Sequence, residues 1–385
     1  MRAVRCHRFA AIDAGRGGGG NGRTLQPPPH ASLPIRDVLR LERVPAPVIR
    51  RDSAVDANKV LIRTRYAGIQ YPDYLQAMGL YQIKPELPYT PGMDVAGIVI
   101  DKGCDVPDDI VRIGDKVYAN TALCPEGKGG IGGLAEVVRI SSDAVYPIPN
   151  GLHLSCVANL GRNYCAAYHS LKVIGNVGLN DLVLVTGSSG GVGMATIELA
   201  RAMGCRVIAG VSDLSRKGAL PSSAGADVVL EYGHDKSSHA SFKSEFRTSA
   251  AKLGHPHGAS LIVDVVHGDL FENALLSCIR PLGKICLVGF AGGQRPIRPG
   301  LVLIKEAMIV GSLWGRWARE NPNDFRRNMS EIMSYMVEGR ISARADNVFP
   351  LEDYAMAFKL FEKNSGRGNT VISMMEDDSL HRSRL

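Results

Sequence analysis

The sequence predicts an α/β protein of two parts, a β-rich unit in its first half and a doubly wound parallel sheet in its second. Residues 36–150 carry short apolar or alternating runs punctuated by Gly, Pro and Asp, the pattern of strands joined by turns. From about residue 155 strand-like runs alternate with helical segments, which argues for βαβ units. The chain has 385 residues, 45% hydrophobic and 22% charged, enough material for two cores and an ordinary globular balance.

Each element follows from its own pattern. The N-terminal MRAVRCHRFAAID alternates apolar and polar residues and reads as a first strand; it lacks the apolar core of a secretory signal. Residues 15–34 hold GRGGGGNG and then Pro27, Pro28 and Pro29, which support neither helix nor central strand, so a surface loop is expected there. VLIRTRYAGI, DVAGIVID, GDKVYA and AEVVRI are the clearest strands of the first half. In the second half DLVLVTG leads into the helix GVGMATIELARAMG, followed by strand RVIAGVS, a helix through RKGALPSSAG and strand DVVLEY. LIVDVV, KICLVGF and MIVGSLW follow as further apolar runs, which suit strands covered on both faces. A helix over NDFRRNMSEIMSYMVEG, a second opening at the Pro of FPLEDYAMAFKLFEKN, and a last strand NTVISM complete the chain.

Composition narrows the function. The net charge is +7, yet no block of five like charges exists, so a nucleic-acid face is not indicated. No run of eighteen apolar residues offers a membrane span. The eight cysteines form no C-x-x-C pair and are scattered through apolar stretches, which points to reduced, mostly buried thiols.

The strongest motif is GSSGGVG at 187–193, set between a strand and a helix. Glycines there permit a tight turn and a close approach of backbone to a pyrophosphate, and the helix N-terminus offers free N–H groups to it. Ser188, Gly190, Gly191, Val192 and Gly193 are therefore candidate dinucleotide ligands. About twenty residues on, the next strand ends in Gly210, Val211 and Ser212 rather than an acid; Asp213 lies in the turn and Arg216 and Lys217 follow. Small residues and cations suit a 2′-phosphate, favouring NADPH over NADH, although the two cations also fit a solvated helix start.

The stretch NDLVLVTGSSGGVGMATIELAR resembles the signature of the zinc-free quinone oxidoreductases and zeta-crystallins, within the medium-chain dehydrogenase/reductase superfamily; Glu198 stands where Gln is usual. AGIQYPDYLQAMGLY, LPYTPGMDVAGIV, AAYHSL, GADVVLEY and MIVGSLWG resemble the family as well. The resemblance implies a GroES-like catalytic domain over 1–155, a Rossmann NADPH-binding domain over 156–318, and a C-terminal return to the catalytic domain with a tail over 319–385. It also implies a homodimer. Zinc-bearing members of the superfamily carry a Cys and later Gly-His-Glu; AGIQYPD and PGMDVAG supply neither Cys nor His, and no set of four close cysteines exists, so no metal is expected.

By the same resemblance Gln70, where Asn is common, with Tyr74 and Tyr81, lines the acceptor pocket and is a candidate catalytic set. A tyrosine hydroxyl can donate to an oxygen that gains charge during hydride transfer, though half-buried packing suits these rings equally. Asn163, Tyr232, Val266, Gly289, Phe290 and Asn369 match cofactor-side positions, while Asp73 and Asp94 suit either a structural hydrogen bond or catalysis. His7 and His169 read as packed residues, and Trp314 as a pocket wall or a core residue.

The expected activity is NADPH-dependent reduction of quinones, with enones or enoyl thioesters as alternative acceptors and a nucleotide- or RNA-binding role as the alternative of another class. The terminal Ser383-Arg384-Leu385 resembles a peroxisomal address, which in a eukaryote implies an import receptor and a peroxisome or glycosome, and otherwise the cytoplasm.

Overall fold

The computed structural model describes residues 1–9, 34–124, 132–362 and 368–375. The Gly/Pro stretch, nearly all of it, and the terminal Ser-Arg-Leu lie outside the described residues.

Strands β1 (Arg2–Cys6) and β2 (Leu39–Arg43) form an antiparallel pair. The larger β-rich sheet is built on β3 (Lys59–Ile69) and β4 (Asp94–Lys102), followed by β5 (Lys116–Asn120), β6 (Val137–Ser141) and β7 (Val145–Pro147). Val60, Ile62, Val95, Val99, Val117 and Val138 pack together on one side of these strands. β-Branched side chains suit such a pleated, covered surface.

The second sheet consists of β8 (Leu182–Val185), β9 (Arg206–Val211), β10 (Val228–Glu231), β11 (Ala259–Asp264), β12 (Ile279–Leu287) and β13 (Met308–Gly311). Its order is β10-β9-β8-β11-β12-β13, all parallel. Successive residues of β8 serve opposite faces. Val183 and Val185 join Ala195, Ile197 and Met329 in one core, whereas Leu182 and Leu184 join Phe242, Phe246 and Phe271 in another. This explains why the strand is apolar at every position. The order reverses between β8 and β11, and at such a point the crossovers leave on opposite faces and open a crevice at the strands' carboxyl ends.

Two further strands, β14 (Ala345–Pro350) and β15 (Asn369–Ser373), return to the first sheet, which runs β14-β15-β3-β4-β5-β7 with β6 on β3. The late part of the chain thus lies directly beside β3, with Thr370 opposite Ile69.

Two local expectations change. Phe349 and Pro350 end an edge strand rather than open a helix; a single 3₁₀ turn, Leu351–Asp353, separates them from the helix Tyr354–Glu362. An edge strand tolerates the missing proline donor. The helix expected through RKGALPSSAG is two short ones, Leu214–Lys217 and Ala219–Ser223, since Pro221 has no N–H to continue the first. The 17-residue helix Lys236–Lys252 was not evident from its sequence: only His239, Phe242, Phe246 and Ala250 are buried, a narrow stripe among Ser, Lys and Arg. Phe246 is fully buried between this helix and the sheet. Phe246→Ala should cost about 3–5 kcal/mol, seen as a lower urea midpoint; an unchanged midpoint would contradict that packing.

Candidate active site

The glycine loop leaves β8 at the crevice. Gly187 has φ +59°, and a Cβ on it would meet Val266 Cγ2 at 3.1 Å. A Cβ on Gly193 would lie 2.4 Å from the Gly187 carbonyl oxygen, so only glycine lets the helix Gly191–Ala202 sit this close to its own loop. Gly190 has open space where its Cβ would be, apart from that same oxygen at 3.4 Å. The first-turn N–H groups of Gly191, Val192 and Gly193 have no preceding helical carbonyl to reach, which makes this an anion cradle. The Ser188 hydroxyl does not join it; it donates to the Gly210 carbonyl at 2.8 Å and ties the loop to β9.

At the end of β9, Ser212 is held from two sides. Lys217 Nζ donates to its hydroxyl at 2.8 Å, and the buried Tyr232 hydroxyl is hydrogen-bonded to it as well. Asp213 caps the next helix, accepting from the Arg216 N–H at 3.0 Å and the Ser215 hydroxyl at 2.7 Å, and these bonds hold its carboxylate below the usual range. Arg216 is mostly exposed beside it. Asp213 is thus engaged in capping, and Glu231, beside it at the end of β10, accepts from Leu214 N at 2.8 Å, while the Ser212 hydroxyl and Lys217 meet at the end of β9. These residues fit a phosphorylated ribose.

Val266, Gly289 and Phe290 converge at the ends of β11 and β12: Gly289 N donates to the Asp264 carbonyl at 3.4 Å, and Phe290 meets the His267 ring edge-on at 5.4 Å. Sequence reasoning missed the pair behind them. Asp264 Oδ1 accepts from the Thr186 hydroxyl at 2.7 Å, from Val266 N at 3.1 Å and from His267 N at 2.9 Å. His267 has φ +58°, a conformation that costs a bulky residue energy, and it is stacked on Phe271 at 4.3 Å. The nearby Asp264 carboxylate holds its imidazole above the ordinary value despite burial.

The β-rich sheet meets this crevice at a single π-helical turn, Leu160–Tyr164. Asn163 Nδ2 donates to Asn369 Oδ1 at 2.8 Å, and a Cβ on Gly191 would collide with the Asn163 carboxamide. Gly368 N donates to the Ser189 carbonyl at 2.9 Å. Asn163, Asn369 and the glycine loop, far apart in sequence, form one packed unit.

Beside it lies a buried polar cluster centred on Asp94. Its Oδ1 accepts from the Tyr118 hydroxyl and Asn120 Nδ2, both at 2.6 Å; its Oδ2 accepts from Gln70 Nε2 and Arg162 N, both at 3.1 Å. Burial pushes its carboxyl up, opposed by these donors. A Cβ on Gly161 would lie 1.8 Å from the Tyr118 hydroxyl, so the turn requires glycine at that point. Asp73 caps the helix Tyr71–Ala77, accepting from Gln70 N at 2.9 Å and Gly92 N at 3.3 Å; burial raises it to about 6, opposed by the charge of Arg162. Arg162 Nη1 donates to the Tyr81 hydroxyl at 3.2 Å and Nη2 lies against Met93 Sδ.

Of the acceptor-side candidates, Gln70 and Tyr81 belong to this cluster. Tyr74 does not: it is buried among Tyr71, Leu75, Tyr354 and Phe358 in the core of the β-rich unit, because the helix Tyr71–Ala77 turns that face inward. Trp314 is stacked on Phe325 in the other core, and His169, hydrogen-bonded to Ser312, is lowered to about 4 by burial. Among the described residues, no group of three or more His, Cys, Asp or Glu converges to hold a metal. A polar cavity of about 230 Å³, lined in part by His234, Lys236, Asp269 and Arg298, lies beyond the end of β10 and shares no residue with the glycine loop.

Glu198 accepts from the Tyr164 hydroxyl at 2.7 Å and from Ser342 N, the Ser342 hydroxyl and Ala343 N, between 2.7 and 3.2 Å. Four donors need both carboxylate oxygens, which one amide oxygen cannot replace. Glu198→Gln should therefore lower stability by about 1–3 kcal/mol while leaving nucleotide affinity unchanged, as compared by denaturant titration and nicotinamide fluorescence. Equal stability of the two proteins would show that the contacts are expendable.

Residues 56–150 match the family described as alcohol dehydrogenase GroES-like domain, and residues 191–334 match the family described as zinc-binding dehydrogenase. Quinone oxidoreductase-like protein 2 of Bos taurus is 30% identical over 322 residues, 83% of this chain and 86% of its own length. The quinone oxidoreductase of Rattus norvegicus is 30% identical over 348 residues, 88% of this chain and 94% of its own. The crystal structure of Escherichia coli quinone oxidoreductase complexed with NADPH superposes with a TM-score of 0.74 at 20% identity, covering 97% of this chain and 100% of that one. An NAD-dependent alcohol dehydrogenase superposes with a TM-score of 0.76 at 22% identity, also covering 97% and 100%. The fold is therefore shared by proteins that use either dinucleotide. With the packed glycine loop and the two sheets that flank it, these likenesses establish that the chain is an oxidoreductase of the medium-chain dehydrogenase/reductase superfamily and belongs to its quinone oxidoreductase-like family.

Proposed function

We propose that this protein is an NADPH-dependent reductase of quinones that works without zinc. The observation that carries the reading is the end of β9, where Ser212 is held by Lys217 and Tyr232 while Asp213 is engaged in capping. That arrangement supports a 2′-phosphate, because Asp213 and Glu231, the acids beside it, each accept from a backbone N–H of the helix Leu214–Lys217. The names of the relatives support a quinone acceptor, and Gln70 and Met93, in the stretches where zinc-bearing relatives carry Cys and His, support the absence of a metal.

When bound, the reduced dinucleotide supplies a hydride to the acceptor. The chain's own residues do the rest. The N–H groups of Gly191, Val192 and Gly193 hold the pyrophosphate, Lys217 and Ser212 select the phosphorylated ribose, and Val266, Gly289 and Phe290 shape the crevice toward the nicotinamide. Asn163, locked to Asn369, fixes the distance between the glycine loop and the Asp94 cluster. Tyr81 and Gln70 place hydrogen-bonding groups on the acceptor side, and the apolar strand ends exclude water, so proximity of the two flat rings contributes much of the rate.

The test is nicotinamide oxidation followed by absorbance against 1,4-benzoquinone, 9,10-phenanthrenequinone, an enone and crotonyl-CoA, with NADPH and NADH in parallel. Turnover of the quinones with NADPH, unaffected by a chelator, is expected; turnover of the enone or the thioester alone would reassign the acceptor, and restoration by zinc after chelation would refute the metal-free reading. Lys217→Ala should weaken NADPH about ten- to a hundredfold and NADH little; equal weakening would refute the 2′-phosphate assignment.

A further inference from the structure

Arg162 is an unusual residue to find beside Asp94. Its Nε is buried with no hydrogen-bond partner among the described residues, and so is Gln70 Oε1 nearby. Its Nη1 reaches Tyr81 and its Nη2 lies against Met93 Sδ, a poor acceptor. The acids that act on it are Asp73 and Asp94, and among the described residues neither forms an ion pair with it. A guanidinium removed from water ordinarily spends its donors on a carboxylate or on carbonyls; this one retains unsatisfied capacity. Its neighbours are informative. Gln70 lies in the stretch where zinc-bearing relatives carry their Cys, and Met93-Asp94 in the stretch where they carry His-Glu. The next residue along, Asn163, is packed on Gly191 at the start of the nucleotide cradle.

The geometry points to Arg162 as the acceptor-oxygen binding residue: its guanidinium supplies, among Gln70, Met93 and Asp94, the positive charge that a metal ion supplies in zinc-bearing relatives, and it takes acceptors whose oxygen becomes anionic on reduction. This rests on the reductase reading above. Reduction of a quinone adds one hydride, carrying two electrons, and one proton from solvent to give the hydroquinone; between those events the negative charge sits on the oxygen. A planar fork of fixed donors stabilises such an oxyanion without reorganisation. The negative charge of Asp73 and Asp94 favours a guanidinium at this buried position, and Tyr81 orients it through the bond to Nη1.

Two readouts test this. The first is the ionisation of bound 4-nitrophenol, a reporter whose anion is coloured, added to the NADP⁺-loaded protein just below its solution pKa. The wild type should hold it as the coloured anion and Arg162→Gln should not. Binding as the neutral phenol in the wild type, or equal ionisation in both proteins, would overturn the assignment; the wild-type arm stands even if Arg162→Gln does not fold. The second is kinetic. Arg162→Gln should lower kcat/KM for quinones about 10²–10³-fold with NADPH affinity unchanged, and added methylguanidinium should restore part of it in Arg162→Ala. A variant that is less stable but retains wild-type kcat/KM would make Arg162 a structural counter-charge only. Absence of quinone turnover in the wild type, with nitrophenol still ionised, would refute the reductase reading and leave the oxyanion site intact.

Discussion

A carboxylate with no access to water must be matched by donors, and Asp94 is matched by four, from three separate parts of the chain. Tyr118 and Asn120 reach it from β5, Gln70 from the start of the helix after β3, and the Arg162 N–H from the turn that enters the second sheet's core. An unmatched buried carboxylate would cost several kcal/mol or take up a proton. Joining these donors therefore fixes how the turn Leu160–Tyr164 lies against the β-rich sheet. Gly161 is the steric counterpart, since any side chain there would occupy the space of the Tyr118 hydroxyl.

From that anchor the two sheets are brought into one site. The turn carries Asn163 to Asn369 and to Gly191, and Gly368 adds a backbone bond to Ser189. Glu198 repeats the principle on the far side of the same helix, gathering Tyr164 and the backbone at Ser342 and Ala343. The nucleotide cradle is thus supported on both flanks by polar contacts between distant segments. Such contacts are directional, so they set distance and angle more strictly than apolar packing does.

Much of this architecture was legible in the sequence because it rests on short-range pattern. The apolar run DLVLV, the glycines that follow it and the helix after them announce a parallel strand, a phosphate cradle and its helix. Ser212 and Lys217, close in sequence, meet at the end of β9, and Tyr232 joins them from the end of the neighbouring strand. What the sequence did not reveal depends on long-range geometry. Asp264 and His267 carry no motif in DVVHG, yet one gathers three donors and the other has a positive φ. Tyr74 and Tyr81 are alike in sequence, but the helix Tyr71–Ala77 turns the first into a core, whereas the second, beyond the turn at Gly79, packs at the edge of that core with its hydroxyl on Arg162. Ser188 was legible as part of the loop, but not that its hydroxyl would turn to the Gly210 carbonyl. Arg162 carries no motif; its meaning comes from Asp73, Asp94, Met93 and Tyr81 meeting around it.

The central claim is that one crevice, bounded by the glycine loop, the end of β9, the switch point after β11 and the turn at Arg162, receives the dinucleotide. Hydrogen–deuterium exchange with and without NADPH tests it most directly. Protection is expected at 187–193, 212–217, 264–268 and 160–164 together, and more strongly with NADPH than with NADH. Protection confined to the cavity beside His234 and Asp269, or none at the glycine loop, would contradict the account.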